Sequence, residues 1–344
     1  MSVRRIAELA GISIGTVSLA LHNSPRISDV TKRLVRRIAK KIDYHPNAKI
    51  TELMAQLRST RTGSTASCFG VISFHASPKP WEKSPHHARI YKGMTERASE
   101  LGYRLEPIWL RSPGMTNRRF KSILDARGIE GILSFGGHDE QITFPVEFDH
   151  FVIVTVGLTV RTPLHRVVPH FYNDTRAALE KFHALGYRRP GLVVGMRDEV
   201  CSANSYSSAY LGWCAQRLGA SGSIPVLQIE SVDASLLQWY QRHRPDSLYF
   251  VQGGDSALND FKALLKGAGI QVPGDLGLAV GCQIIDGTEF SGMQQNQRLM
   301  GHWAIELLVS RVLNRDLGIP ATPRCLMVES SWHDGKTLRR QPTF

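Results

Sequence analysis

The chain has 344 residues, 42 Lys and Arg against 30 Asp and Glu, and a formal net charge of +12. Its length allows two or three domains with ample core, and a hydrophobic fraction of 42% comes with no apolar run long enough to span a bilayer. Five scattered cysteines (Cys68, Cys201, Cys214, Cys282, Cys325) without a C-x-x-C argue against a disulfide framework and a zinc site, and the lack of a secretory signal around Arg4 and Arg5 predicts a cytoplasmic protein.

The charge is concentrated at the N-terminus. Residues 1–61 carry twelve cations against four acids, +8 of the total +12. A small basic module on a near-neutral body is the footprint of a nucleic-acid binder. Within it, RIAELAGISIGTVSLAL (5–21) reads as two short helices joined at Gly11, a residue able to take the positive φ of a tight turn. Ser13 stands where an N-cap belongs, and Val17 and Leu21 share a face of the second helix. This is a helix-turn-helix, or else an ordinary helical hairpin packed in a core. His22-Asn23-Ser24-Pro25 breaks the pattern, and Ser28 can cap a third helix over Asp29 to Ile42, with Val30, Leu34, Val35, Ile38 and Ile42 as its apolar stripe. So small a core predicts a module that is marginal until DNA or a second subunit supports it.

The run IAELAGISIGTVSLALHNSPRIS, followed by T-K-R-L-V-x-x-I-A and then Tyr44-His45-Pro46-Asn47-Ala48, resembles the DNA-binding headpiece of the lactose-repressor (LacI/GalR) family of bacterial transcription regulators. The resemblance implies a homodimer, one headpiece per half-site of a palindromic operator, and a hinge that folds in the minor groove. By position, Ile14 and Gly15 open the helix that reads base edges. Neither side chain can hydrogen-bond a base, but Ile14 can touch a thymine methyl. Thr16, Ser18, Asn23 and Thr31 match hydroxyl or amide positions suited to phosphate, and Tyr44 and Asn47 match backbone-contacting ones. Leu19 departs from the family's usual Arg. That loss removes a bidentate guanine contact of about 1–3 kcal/mol and implies a site unlike the commonest operators of the family.

Residues 48–62 (AKITELMAQLRSTRT) form the hinge. Its wedge into a base step is Leu53 by the family's spacing, with Leu57 a second candidate one turn on. The alternative is a linker helix that only packs against its twin. Gly63-Ser64-Thr65 reads as a flexible joint.

From Ala66 the texture is that of a parallel α/β fold. CFGVISF (68–74), GILSF (131–135), FVIVTVG (151–157), RVVPHF (166–171), PGLVVG (190–195), SLYFVQ (247–252) and LGLAVG (276–281) read as buried strands. Helices over 90–101, 174–185, 206–218 and 257–268 lie between them, most ending at a glycine. The pattern restarts near Arg188-Arg189-Pro190, which predicts two lobes with a cleft between them, the periplasmic-binding-protein-like sensor the family implies. A helix over 294–308 and a last strand LMVESSW close the fold. The expected division is 1–47 headpiece, 48–64 hinge helix and linker, 65–334 two-lobed effector and dimerisation domain, and 335–344 tail. No leucine heptad follows, so a dimer is the expected ceiling.

Ligands of open α/β sheets bind at the carboxyl ends of strands. That rule singles out His75 and Trp81 after the first strand and His138 after the second. Trp81 stacks on a sugar or anchors its own Pro-flanked loop. Asp255 matches the second residue of the family's Asn-Asp pair, with Gly254 replacing the Asn. Val280-Gly281-Cys282-Gln283 stands where the family has Gly-Phe-Asp-Asp, with Asp286 nearby, and Asn204 to Tyr206 stand where the family often has Arg. Three polar anchors of the pattern are thus absent, which implies either an unusual ligand or a cleft that has lost one. Tyr206, Gln283 and Asp286 complete the effector candidates. There is no G-x-G-x-x-G after a strand, no phosphate-binding P-loop and no G-x-S-x-G, so no nucleotide cofactor and no catalysis are assigned. The alternative is a sugar-binding protein or carbohydrate-active enzyme with Asp255 and Asp286 as paired carboxylates and an incidental headpiece.

Overall fold

The computed structural model describes residues 3–21, 27–42, 44, 67–135, 150–219, 222–253, 257–281 and 289–342. The headpiece holds α1 (Val3–Ala10), α2 (Ile14–Leu21) and α3 (Asp29–Lys41). Gly11 has φ +65°, and the Ile12 amide reaches Ala7 O at 3.2 Å while the Gly11 amide reaches Glu8 O at 3.4 Å. This Schellman pair closes α1 and lets α2 start two residues later. Ile6, Ala7, Val17, Ala20, Val35 and Ala39 form the core, with Ile12, Leu21, Ile27, Ile38, Ile42 and Tyr44 packed around it. The expected stripe on α3 is corrected in part. Val30 and Leu34 are 68% and 39% exposed, and Ala39 is buried instead. Val30 precedes Val35 by five residues, which at about 100° per residue puts it well off the inner face.

The body is two six-stranded sheets. The first contains β1 (Ser67–Ser73), β2 (Tyr103–Trp109), β3 (Ile129–Phe135), β4 (Val152–Val156), β5 (His165–Pro169) and β11 (Cys325–Val328), in the order β11-β5-β4-β3-β1-β2, all parallel. Its central strands β1, β3 and β4 are largely apolar on both faces. Phe69 and Val71 meet α4 (Pro85–Glu100) and α11 (Gln297–Leu313), while Cys68 and Ile72 meet α5 (Asn117–Ala126). The second sheet contains β6 (Pro190–Gly195), β7 (Leu227–Ile229), β8 (Ser247–Val251), β9 (Gly277–Gly281), β10 (Ser291–Gln294) and β12 (Ser331–His333), in the order β12-β10-β9-β8-β6-β7. Here β12 alone runs antiparallel, against β10. Helices α6 (Phe171–Ala184) and α8 (Ser205–Arg217) cover one face, and α9 (Ala234–His243) and α10 (Ala257–Gly267) the other. A short α7 (Met196–Cys201) follows β6.

The chain passes between lobes three times, after β5, after β10 and after β11. Each passage leaves the carboxyl end of a strand that belongs to the parallel run of its sheet, so the carboxyl edges of the two sheets face each other across the cleft. The change of lobe falls at Pro169–Phe171 rather than near Arg188, because α6 packs against α8 and the second sheet. The single closing strand read in LMVESSW is two, β11 and β12, in different lobes, with Glu329-Ser330 between them. Residues 335–341 are stitched to the second lobe: Leu278 N–H donates to Thr337 O at 2.8 Å and Gln341 N–H to Leu185 O at 2.8 Å.

Candidate nucleic-acid interface and effector cleft

In the headpiece, two helix starts share one motif. Ser13 Oγ accepts the Thr16 amide at 3.0 Å and lies 2.8 Å from the Thr16 hydroxyl; Ser28 Oγ accepts the Thr31 amide at 3.2 Å and lies 2.9 Å from the Thr31 hydroxyl. Ser13-x-x-Thr16 and Ser28-x-x-Thr31 therefore cap α2 and α3 and leave hydroxyl pairs at both N-termini, where the helix dipole favours an anion. Between the first pair stand Ile14, 52% exposed, and Gly15, also exposed. Leu19 is half-buried, and Tyr44 packs on the headpiece core. Arg4, Arg5, Arg33, Arg36, Arg37, Lys40 and Lys41 are exposed, and Lys32 is half-buried on Asp29 at 3.2 Å. An uncharged reading tip inside one hydroxyl-capped helix start, with a second such start and a cationic surface in the same module, suits a groove edge and its phosphates. Asn23, Asn47, the hinge with Leu53 and Leu57, and the side chain of Ser18 lie outside the described residues.

On the first lobe's side of the cleft, Trp81 stacks on Tyr91 with centroids 4.1 Å apart and planes at 5°, and lies 5.8 Å from the Phe135 ring. One indole face is thus used in packing, the anchoring role. His75 is buried and edge-on to His87 at 4.7 Å, and His87 is edge-on to His86 at 5.3 Å. Burial, with Arg89 nearby, pushes His86 down to about 4, so this wall is aromatic and its His86 imidazole neutral near pH 7.

The second lobe's side is acidic. Asp198 Oδ2 accepts the Gly253 amide at 2.8 Å, and burial raises its carboxyl above the usual range. Glu199, 1% exposed, accepts the Ser207 amide at 3.2 Å and the Ser207 hydroxyl, so it caps the start of α8. Sequence reasoning missed both acids; the signal was their place directly after β6. Tyr206 is corrected as an effector contact: it is 1% exposed in the second lobe's core and edge-on to Phe171 at 5.4 Å. At the N-terminus of α8 its ring falls on the helix's inner face. His138, Asp255, Gln283 and Asp286 lie outside the described residues. Among the described residues no three His, Cys, Asp or Glu side chains are placed to hold a metal ion, and no helix is long and apolar enough to cross a membrane.

A third polar group, also missed, joins the two lobes. His170 Nδ1 lies 2.7 Å from Glu329 Oε1, Asn173 Nδ2 donates to Glu329 Oε2 at 2.7 Å, and Ser330 Oγ donates to Asp174 Oδ2 at 2.7 Å. Its signal was the polar Glu-Ser-Ser interruption inside the closing apolar run.

Residues 2–47 match the family model of bacterial regulatory proteins of the lacI family, and residues 179–337 match the periplasmic binding protein-like domain. The chain thus carries a lacI-family helix-turn-helix domain and a periplasmic-binding-protein-like domain. Among its relatives, it is 27% identical over 128 residues to the HTH-type transcriptional regulator DegA of Bacillus subtilis, covering 37% of this chain and 34% of that one. It is 25% identical over 206 residues to CelR of Thermobifida fusca, 58% of this chain and 57% of that one. These matches span less than two thirds of either relative. The fold matches over nearly its whole length: a CelR–cellobiose complex has TM-score 0.60 at 21% identity, covering 98% of this chain and 99% of that one. The lac repressor dimer bound to operator and an anti-inducer has TM-score 0.58 at 17% identity, again covering 98% and 99%. The relatives reported are named as transcriptional regulators rather than enzymes, which disfavours the carbohydrate-active alternative.

Proposed function

We propose that the chain is a transcription regulator, a repressor, that binds a palindromic operator as a homodimer and is controlled by a small molecule, a carbohydrate, held between the lobes. The observation that carries this reading is the exposed Ile14–Gly15 tip within the Ser13–Thr16 cap at the start of α2, with a second hydroxyl cap, Ser28–Thr31, at the start of α3. It is the headpiece surface a base edge and two phosphates would need. The charge supports it, since most of the excess lies in residues 1–61. The dimer and operator are argued from the lac repressor complex, and the carbohydrate from the CelR–cellobiose complex and from sucrose operon repressors among the relatives.

In this reading the division of the chain is 1–47, 48–64, 65–334 and a short end. Leu53 or Leu57 of each hinge wedges a base step from the minor groove. Thr16 and Thr31, with Ser18 and Asn23, hold phosphates, and Tyr44 and Asn47 hold the backbone. Ile14 selects a thymine methyl, and Leu19 leaves unread the guanine an Arg would take. His75, Trp81, His138, Asp255, Gln283 and Asp286 line the effector space, which works only through a difference in affinity for two lobe arrangements. The protein works in the cytoplasm.

The test is selection of duplexes from a random pool by the full chain, followed by binding isotherms. Half-sites should emerge about one helical turn apart, and Ile14→Asp should abolish selection without changing the melting temperature. Affinity for the selected duplex should fall roughly 10³-fold or more between 50 and 200 mM salt if six to ten phosphates are held. Random-pool binding that Ile14→Asp leaves intact, or that ignores salt, would overturn the reading. Cellobiose, sucrose and maltose, added singly, test the carbohydrate.

A further inference from the structure

The lobes are joined by three passages, and their side chains meet at one place. Glu329, on the third passage, holds His170 of the first and Asn173 of the α6 start beside it through its carboxylate, and its carbonyl accepts Asn296 Nδ2 of the second at 2.6 Å. Ser330 binds Asp174 beside it. Asp174 is 2% exposed, and its other oxygen, Oδ1, has no hydrogen-bond partner among the described residues. An ionised carboxylate with half its acceptors unmet, next to a second carboxylate, is costly in such a place; a protonated one is far less so.

We propose that this cluster is a proton-operated clasp on the inter-lobe hinge: a protonated Asp174 keeps the three passages pinned at Glu329–Ser330, and its ionisation loosens them. Burial pushes Asp174 up to about 7; the Ser330 hydrogen bond opposes this, the Glu329 charge adds to it, and His170 opposes it. Hydrogen bonds from His170 and Asn173 hold Glu329 below the usual carboxylate range, so Glu329 keeps its charge while Asp174 changes. The remaining neighbours bring little charge. The second passage offers Gln294, Gln295, Asn296 and Gln297, all neutral. Strands β8, β9 and β10 carry no charged residue, and α8 carries only Arg217, which is held by Glu180 at 3.1 Å. His333 of β12 lies beside Asp334 and acts on it. On α6 itself, Arg176 is about 200° around the helix from Asp174. The group of the clasp whose charge changes is therefore Asp174, beside a Glu329 that stays ionised.

The direction follows from linkage. The folded carboxyl titrates near 7 against an ordinary 3.8, so between about pH 4 and pH 7 the folded chain binds more protons than the unfolded one. The stabilisation is whole below pH 4, declines as pH rises and is gone above pH 7. From pH 5 to pH 8 the folding constant should fall about a hundredfold through this group alone.

The experiment compares the full chain with Asp174→Asn in urea denaturation at pH 5, 6, 7 and 8. The expected result is a difference in slope worth about a hundredfold in folding constant between them; equal slopes overturn the proposal. Ser330→Ala, which removes the bond that favours the ionised form, should move the step to higher pH; an unmoved or lowered step counts against it. Should Asp174→Asn not fold, carboxyl carbon NMR of the unaltered chain decides, a midpoint near 7 supporting the clasp and one below 5 overturning it. Small-angle scattering at pH 5.5 and 8 tests the hinge: a change in radius of gyration supports it and an unchanged radius overturns it. No DNA or effector is present in any of these measurements, so their failure is separate from failure of the regulator reading.

Discussion

The headpiece and the body are built to opposite economies. Among its described residues the headpiece core buries six, none aromatic, and its distinctive chemistry is on the outside, at Ile14, Gly15 and the two Ser–Thr caps. The body has two core clusters per lobe, rich in Phe, Tyr and Trp, and puts its chemistry between lobes. A small core makes every buried methyl matter and leaves the surface free. A large one tolerates lost methyls but depends on a few places where backbones touch.

The largest effect should come from such a place. A Cβ on Gly301 of α11 would lie 2.0 Å from Ile90 O of α4, and one on Gly93 of α4 would lie 1.9 Å from Arg298 O. Both clashes are with backbone, so side-chain rotation cannot relieve them. Gly301→Ala should destabilise the first lobe by about 3 kcal/mol or more, measured as a drop in its denaturant midpoint, and leave the headpiece transition alone. A harmless Gly301→Ala would mean the two helices can part cheaply, and the contrast with the headpiece would weaken.

Next is Ile6→Ala. Ile6 is fully buried, but in a cluster too small to close around a cavity, so about 2–3 kcal/mol is expected. That is enough to melt an isolated headpiece at 37 °C by circular dichroism while the body's transition stays in place. If both transitions shift together, the two regions fold as one unit and the comparison fails.

What could be read from the chain divides along the same line. Gly11, Ser13 and Ser28 act on neighbours within three to five residues, so the turn and caps of the headpiece stood in the sequence. The continuous apolar runs of β1, β3, β4, β6, β8 and β9 were equally plain, because strands buried on both faces need no alternation. Strand β2 was not: Pro107 argues against a strand, and the structure accepts it because β2 is the sheet's edge. The short β7 and β10 and helices α5, α7 and α9 were missed as well. Trp81 and Tyr206 pack against Tyr91 and Phe171, partners no spacing rule pairs with them. The clasp joins residues 156 to 159 apart in the chain. Such a group exists only once the topology is known.

A smaller effect tests the caps. Ser28→Ala removes the acceptor of the Thr31 amide at the start of α3 and should cost about 1 kcal/mol of headpiece stability, read as a lowered headpiece melting temperature. Ser28→Asp, which also accepts that bond and adds a favourable charge at the helix start, should restore it, yet repel a phosphate held there. Stability and affinity for the selected duplex should then part company, stability recovering and affinity not.

The smallest effect should be at Arg5. Its guanidinium lies 3.0 Å from Glu8 Oε2, with the two side chains 58% and 53% exposed. Water screens such a pair and its long side chains must be ordered to make it, so Arg5→Gln should change headpiece stability by less than about 0.5 kcal/mol. If Arg5 leaves Glu8 for a phosphate in the complex, the same change should flatten the salt dependence of binding by about one counterion per headpiece. A headpiece that loses more stability than this would be resting on its surface charges rather than on Ile6, Val17 and Val35. The contrast between a structural core and a freely varied surface would then have to be redrawn.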